Sequence, residues 1–291
     1  MTSEAIALGG RPTVVGRRLR KRFPLLVGMA FAIMGAVVVC ALASDLIAPY
    51  DPNQQNLSES ALRPSAEHLL GTDQLGRDIA SRVVYGARTA LVGPVLVAVG
   101  GFTIGTFLGL LAGYLGGRTD SLVMRWVDLM FALPGLLVTV VIVGIVGGGY
   151  WMAVALLVVF FSPSDTRIVR GEALRQRSLP YVEAARTLGL SRRRIMFRHI
   201  GPNVLPIVLA YVFLDFAFAL VSLSGLAFLG IGVSPGTPDW GLMLFENRNL
   251  LFRNPAAAVA PGIAIVATAA SMNLIGDWLY ERSTGRTDLR S

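Results

Sequence analysis

The sequence is poor in the residues that soluble chemistry uses. Its 291 residues include one cysteine, Cys40, one lysine, Lys21, and two histidines, His68 and His199, and only 15% are charged. A single cysteine cannot form an intrachain disulfide, and its place in an apolar run marks it as a packing residue. With the only lysine in the context Leu19-Arg20-Lys21-Arg22, there is no G-x-x-x-x-G-K-[ST] phosphate loop, so this chain is not itself an ATPase. It also lacks a G-x-S-x-G elbow, a zinc-type histidine motif and a Cys/His dyad, which leaves hydrolytic catalysis without candidate residues.

What is there is apolar. Hydrophobic residues make up 54% of the chain, and the mean hydropathy is +0.61, well above the range of soluble domains. Crossing about 30 Å of hydrocarbon takes about 20 helical residues. Runs of suitable character lie near 25–43, 89–116, 129–147, 150–163, 204–232 and 257–279. The composition predicts an all-α integral membrane protein with six transmembrane helices, the fourth span short and ending at Ser162-Pro163. Arg17 to Arg22 precede the first run and Ala41-Leu42-Ala43 resembles a cleavage site. The length of the run and the five spans after it favour a retained helix over a signal peptide.

Charge orients this bundle. Twenty of the 26 basic residues fall in four segments: Arg11 to Arg22, Arg118 with Arg125, Arg167 to Arg198, and Arg282 with Arg286 and Arg290. The other six, Arg63, Arg77, Arg82, Arg88, Arg248 and Arg253, belong to the opposite side. The positive-inside rule then places both termini and the 164–203 loop in the cytoplasm. The net charge of +8 needs no nucleic acid, since Arg192-Arg193-Arg194 beside a membrane fixes topology and meets anionic lipid. His68 and His199 fall on opposite sides and cannot share a metal.

The most specific segment is polar. Glu183-Ala184-Ala185, Gly189, His199 and Gly201-Pro202 follow the pattern E-A-A-x3-G-x9-H-x-G-P. Pro180 suits a first helical turn, and Ser178 or its neighbour can cap it. Gly189 suits a left-handed C-terminal residue, and Ser191 can cap a second short helix ending at Gly201-Pro202. Small Ala184 and Ala185 beside Glu183 admit a partner surface, while Tyr181, Val182 and Leu188 offer apolar contacts. This elbow resembles the cytoplasmic "EAA" coupling loop of permease subunits from bacterial ATP-binding cassette importers.

Two further strings resemble one branch of that family, the second permease subunit of dipeptide, oligopeptide and nickel importers. Gly71-Thr72-Asp73-Gln74-Leu75-Gly76-Arg77-Asp78, continuing through Ser81-Arg82 to Tyr85-Gly86-Ala87-Arg88, is similar to the signature that precedes its MetI-like permease core. Read locally, this stretch carries Asx turns at Asp73 and Asp78 and an amphipathic interfacial helix from Asp78 to Arg88. Leu226-Ala227-Phe228-Leu229-Gly230-Ile231-Gly232, with Pro235, Pro238, Trp240 and Gly241, is similar to a later motif. Here Ala227 replaces the usual serine, and the acidic residue that often precedes the motif is missing.

The resemblance implies a division of the chain. Residues 1–24 form a basic tail, 25–88 the first helix and an extracytoplasmic loop, 89–280 the permease core, and 281–291 a second tail. It implies a multi-pass protein of the bacterial cytoplasmic membrane that pairs with a homologous permease in a heterodimer. One or two ATPase subunits would dock on Tyr181, Glu183, Ala184, Ala185, Leu188 and Gly189. An extracytoplasmic solute-binding protein would meet Asp73, Arg77 and Asp78. This chain would bind no cofactor or metal, with ATP and Mg on its partners. The implied cargo is a dipeptide or oligopeptide, with nickel or a haem-like ligand as alternatives, and a stand-alone secondary transporter is the alternative of another class.

Two intramembrane features carry weight without the resemblance. Gly101, Gly105, Gly109, Gly113 and Gly117 recur every fourth residue and form one smooth stripe for close packing. Asp215 lies about eleven residues into the fifth span, roughly 16 Å deep at 1.5 Å per residue. A central aspartate costs about 3 kcal/mol on the insertion scale. It therefore either lines the pathway and favours a cationic group, or is tied by a hydrogen bond near Asn273 or by protonation.

Overall fold

The computed structural model describes residues 23–284, and the basic residues Arg11 to Arg22, Arg286 and Arg290 lie outside them. The chain runs through α1 (Phe23–Leu42), α2 (Ser44–Ile47), α3 (Ile79–Leu115), α4 (Gly117–Ala132), α5 (Gly135–Val146), α6 (Gly149–Arg177), α7 (Pro180–Thr187), α8 (Arg192–Arg194), α9 (Gly201–Phe228), α10 (Trp240–Asn247) and α11 (Pro255–Thr284). No strand occurs among these residues, only an isolated antiparallel bridge between Thr72 and Asp78. Five helices are long and apolar enough to span a membrane, and there are six spans if the bent α4–α5 unit is counted. Side chains such as Leu25, Val141, Ile145 and Val266 leave the outer surface apolar, as a bilayer requires.

The spans differ from the expected ones in ways the local chemistry explains. The stretch 78–88 is no separate interfacial helix but the first turns of α3, a single 37-residue helix. At 1.5 Å per residue that is about 55 Å, so α3 projects beyond the hydrocarbon. The third span is broken, because α4 and α5 meet at Leu133-Pro134 with a 75° bend. α4 is clamped to α6 by Arg170, which grips Asp120 at 2.5 and 2.7 Å, and by Arg167, 2.8 Å from Asp128. The fourth span does not stop at Pro163 but continues to Arg177. Pro163 lacks the N–H that would bond the carbonyl four residues back, and the Ser162 hydroxyl donates to that Val159 carbonyl at 2.8 Å instead. The 164–203 loop thereby shrinks to the segment after Arg177.

Gly201-Pro202 likewise does not end a helix. A π-helical turn over Ile195–Ile200 leads straight into α9, and such a turn takes up the hydrogen-bond pattern that Pro202 interrupts.

α3 and α6 lie side by side through the glycine stripe. A Cβ built on Gly105 would sit 2.3 Å from Asp165 Cβ, one on Gly109 2.6 Å from Val169 Cβ, and one on Gly113 2.7 Å from Ala173 Cβ. Gly101 faces Phe161 and Asp165. Gly117 leaves the stripe: it begins α4 with φ +58°, and a Cβ built there would meet nothing within 4 Å. The stripe therefore packs within this chain. Leu110, Tyr114, Val169, Ala173, Ile200 and Val204 form a core at one end of α3. Ile79, Phe216, Leu220, Trp240 and Met243 form another at its opposite end.

At that second end an ion network ties the 48–78 loop to the bundle. Asp73 accepts from the backbone N–H groups of Leu75 and Arg77 and pairs with the Arg77 guanidinium at 2.5 Å. Arg77 and Arg82 share Glu246 at 2.7 and 3.1 Å. Arg82, fully buried, also donates to the carbonyls of Pro52 and Gly236. Asp78 caps α3 by accepting from Ser81 N–H and Oγ, both at 2.7 Å, and meets His68 Nδ1 at 2.9 Å.

Three substitutions test this account by thermal denaturation of the detergent-solubilised protein. Gly109→Leu forces a side chain onto Val169 and the Thr166 carbonyl and should destabilise by about 1–3 kcal/mol or more. Gly28→Ala, where nothing lies within 4 Å, should be near neutral. Asp78→Ala removes the cap of α3 and should cost about 1–2 kcal/mol. An unchanged melt for Gly109→Leu would remove the close helix approach.

Candidate functional site

The elbow at the α6–α9 end is half anchored and half bare. Pro180 occupies the first turn of α7, as its missing N–H allows. Leu179, not Ser178, stands at the N-cap and contributes no side-chain bond, while the Ser178 hydroxyl donates back to the Arg175 carbonyl and closes α6. At the far end Gly189 takes φ +74°. Gly189 N–H donates to the Arg186 carbonyl and Leu190 N–H to the Ala185 carbonyl, at 2.9 and 3.1 Å, the paired bonds of a Schellman stop. Ser191 then caps the next turn through Arg194 N–H.

This framework decides which residues face outward. Val182 is fully buried and Ala185 nearly so, both packed in the core around Leu110, Val169 and Ile200. Burying a valine side chain stabilises by about 1.5–3 kcal/mol, which roots α7 in the bundle. Tyr181 is half-buried and hydrogen bonds to Gln176 and Asn203. Glu183 and Ala184 are exposed, and so is Gly189. Leu188, at 80% exposure, is an apolar side chain without cover. Val182 and Ala185 thus serve the chain's own core, leaving Glu183, Ala184, Leu188 and Gly189 as the outward face.

At the opposite end, Asp73, Arg77 and Asp78 are at most 3% exposed and belong to the ion network. They shape the loop from within, and surface positions such as Leu57 and Leu69 are what it presents outward. Asp45 lies at its edge, held below the usual carboxylate range by the Tyr85 hydroxyl and then by Arg88. Asp239 caps α10 through Leu242 N–H at 3.0 Å, and burial pushes its carboxyl above that range. The later motif is structural too: Trp240 Nε1 donates to the Val83 carbonyl at 2.8 Å, and Gly241 sits against the Ser224 backbone.

Asp215 is half-buried on α9, and its partner is Asp165 of α6. Asp215 takes its side-chain hydrogen bond from Asp165 and none from Asn273, whose Oδ1 is itself without a partner. Asp165 is 1% exposed and backed by Gly101 and Gly105. Ending the fourth span at Pro163 hid it; the signal was the apolar pattern continuing past the proline with Ser162 available to mend the helix. Both acids border an open groove between α6 and α9, lined also by Phe160, Phe161, Tyr211 and Phe218.

Comparison with known proteins agrees with this architecture. Residues 105–288 match the family described as Binding-protein-dependent transport system inner membrane component. The Glutathione transport system permease protein GsiD of Pectobacterium atrosepticum is 36% identical over 269 residues, covering 91% of this chain and 87% of the relative. GsiD proteins of Escherichia coli O6:K15:H31 and Shigella boydii serotype 4 are each 38% identical over the same coverage. A helical bundle with its ends so built, matched through nearly its whole length, belongs to the binding-protein-dependent inner membrane components: this chain is a multi-pass permease subunit of a bacterial ATP-binding cassette importer.

Proposed function

We propose that this permease carries small peptides, glutathione-like tripeptides among them, through a pore it forms with a homologous permease. The observation that supports this most is near full-length similarity to permeases named for glutathione transport, joined to the 71–88 string of peptide-type importers. Both termini and the α7 elbow lie in the cytoplasm in this reading, and the 44–78 loop faces a solute-binding protein outside.

The elbow couples. The outward face of Glu183, Ala184, Leu188 and Gly189 sits in a groove on an ATPase subunit, with Tyr181 and Ala185 holding it from behind. ATP and Mg reside on the ATPase subunits and none on this chain. Closure of those subunits pushes on α7, whose inner face packs on the Ile195–Ile200 turn and through it joins the core of α3, α6 and α9, so access switches from outside to inside. On the outer side Asp73, Arg77 and Asp78 give the docking loop its rigid shape. Asp215 borders the pathway.

Two measurements check this reading. Mild-detergent purification from the native membrane, followed by mass spectrometry, should recover a second permease, one or two ATPases and a solute-binding protein carrying a small peptide. Recovery of a stable chain or homo-oligomer alone, after controls for dissociation, would point to a secondary transporter. In the second, a Cβ added at Gly189 meets no atom within 4 Å, so the main cost of Gly189→Val is the left-handed backbone, about 1–2 kcal/mol. Transport should fall at least about fivefold with the ATPase still bound and hydrolysing. Wild-type transport by a normally inserted variant would remove the elbow from the coupling path.

A further inference from the structure

We propose that Asp165 and Asp215 form the floor of a subsite that binds the positively charged amino group of the transported molecule. This rests on the permease reading and adds to it a named site and a ligand class.

The groove is an open cavity of about 330 Å³ between α6 and α9. There Asp165 is 1% exposed and hydrogen bonded to Asp215, and the second oxygens of the pair, Oδ2 of each, are buried without a hydrogen-bond partner. Neither carboxyl takes part in an ion pair among the described residues, although Arg167 and Arg170 on the same helix are engaged with Asp128 and Asp120. Two adjacent acids in a low-dielectric setting repel each other when both are ionised, and a cation between them relieves this. A face carrying them cannot lie against lipid, where even one central aspartate costs about 3 kcal/mol. It must border water or protein within the assembled pore.

The walls select the kind of cation. Phe160, Phe161, Tyr211 and Phe218 also line the groove, and aromatic faces attract ammonium groups through their quadrupoles. Ser164 and Ser222 add hydroxyl acceptors. Among the described residues no three ligating side chains converge as a metal ion needs. Two carboxyls in a groove with aromatic lining suit an organic ammonium.

The test uses the assembled importer in lipid nanodiscs, with n-butylammonium as the probe and n-butanol as its neutral counterpart. A water-soluble carbodiimide modifies carboxyl groups reached through an aqueous path, and peptide mass spectrometry reads modification at Asp165 and Asp215. Modification should be slowed about tenfold by saturating n-butylammonium, left unchanged by n-butanol, and lost at the substituted position in Asp215→Asn. Modification that the ammonium does not slow overturns the proposal. So does the absence of modification in both nucleotide-free and ATP-bound complexes, which would mean that the partner permease seals the groove.

Transport in proteoliposomes gives the second arm. Asp215→Asn and Asp165→Asn, each shown to retain its ATPase, should raise KM about tenfold for a free-amine tripeptide and spare its N-acetylated counterpart. Equal losses for both peptides, or for neither, overturn the proposal. If the wild type moves neither peptide while ammonium protection holds, the peptide reading falls and the cation subsite stands.

Discussion

The approach of α3 to α6 is the contact on which the rest of the structure depends. In lipid no hydrophobic force drives helices together, so association rests on van der Waals contact and on how closely backbones approach. Gly105, Gly109 and Gly113 bring α3 so near α6 that an added Cβ would overlap Val169, Ala173 or Asp165. Both helices outrun the hydrocarbon. Their shared seam therefore links the ion-paired loop at one end to the elbow at the other, and it holds Asp165 in a place no isolated helix would select.

The two ends are built on opposite physical plans. At the loop end charge is buried and almost fully partnered: Arg77 and Arg82 converge on Glu246 while Asp73 and Asp78 organise the turn and the helix cap. Such a network is costly to break because each remaining charge is left unpaired, so it suits a surface that must keep its shape. At the elbow only the inner face is anchored. Val182 and Ala185 share a core with residues of α3, α6 and α9, so α7 cannot shift without moving them. Leu188 stays uncovered, and the proposed coupling assigns it to the ATPase subunit.

Much of this was legible in order along the chain. Gly189 had to be left-handed because a helix stops there before Ser191 starts another, and the structure gives it φ +74°. The stripe from Gly101 announced close packing without naming its partner. Prolines misled, because Pro163 and Pro202 read as helix ends while Ser162 and a π-helical turn repair the hydrogen bonding around them. The error at Pro163 left Asp165 in the loop and not on α6, so Asp215 looked solitary. Val182 and Ala185 read as contact residues, yet their apolar or small character serves the chain's own core equally well.

By itself the sequence determined the membrane setting, the helical class, the elbow's turns and the absence of a nucleotide-binding loop. Each of these follows from composition or from residues close together in the chain, where hydropathy and backbone preference act locally. Tertiary structure alone decided that the glycine stripe meets α6, that Glu246 joins Arg77 and Arg82, that α7 turns Leu188 outward, and that Asp165 meets Asp215. Those outcomes depend on which faces come together across 50 to 170 residues of chain, and packing geometry, not local propensity, selects them.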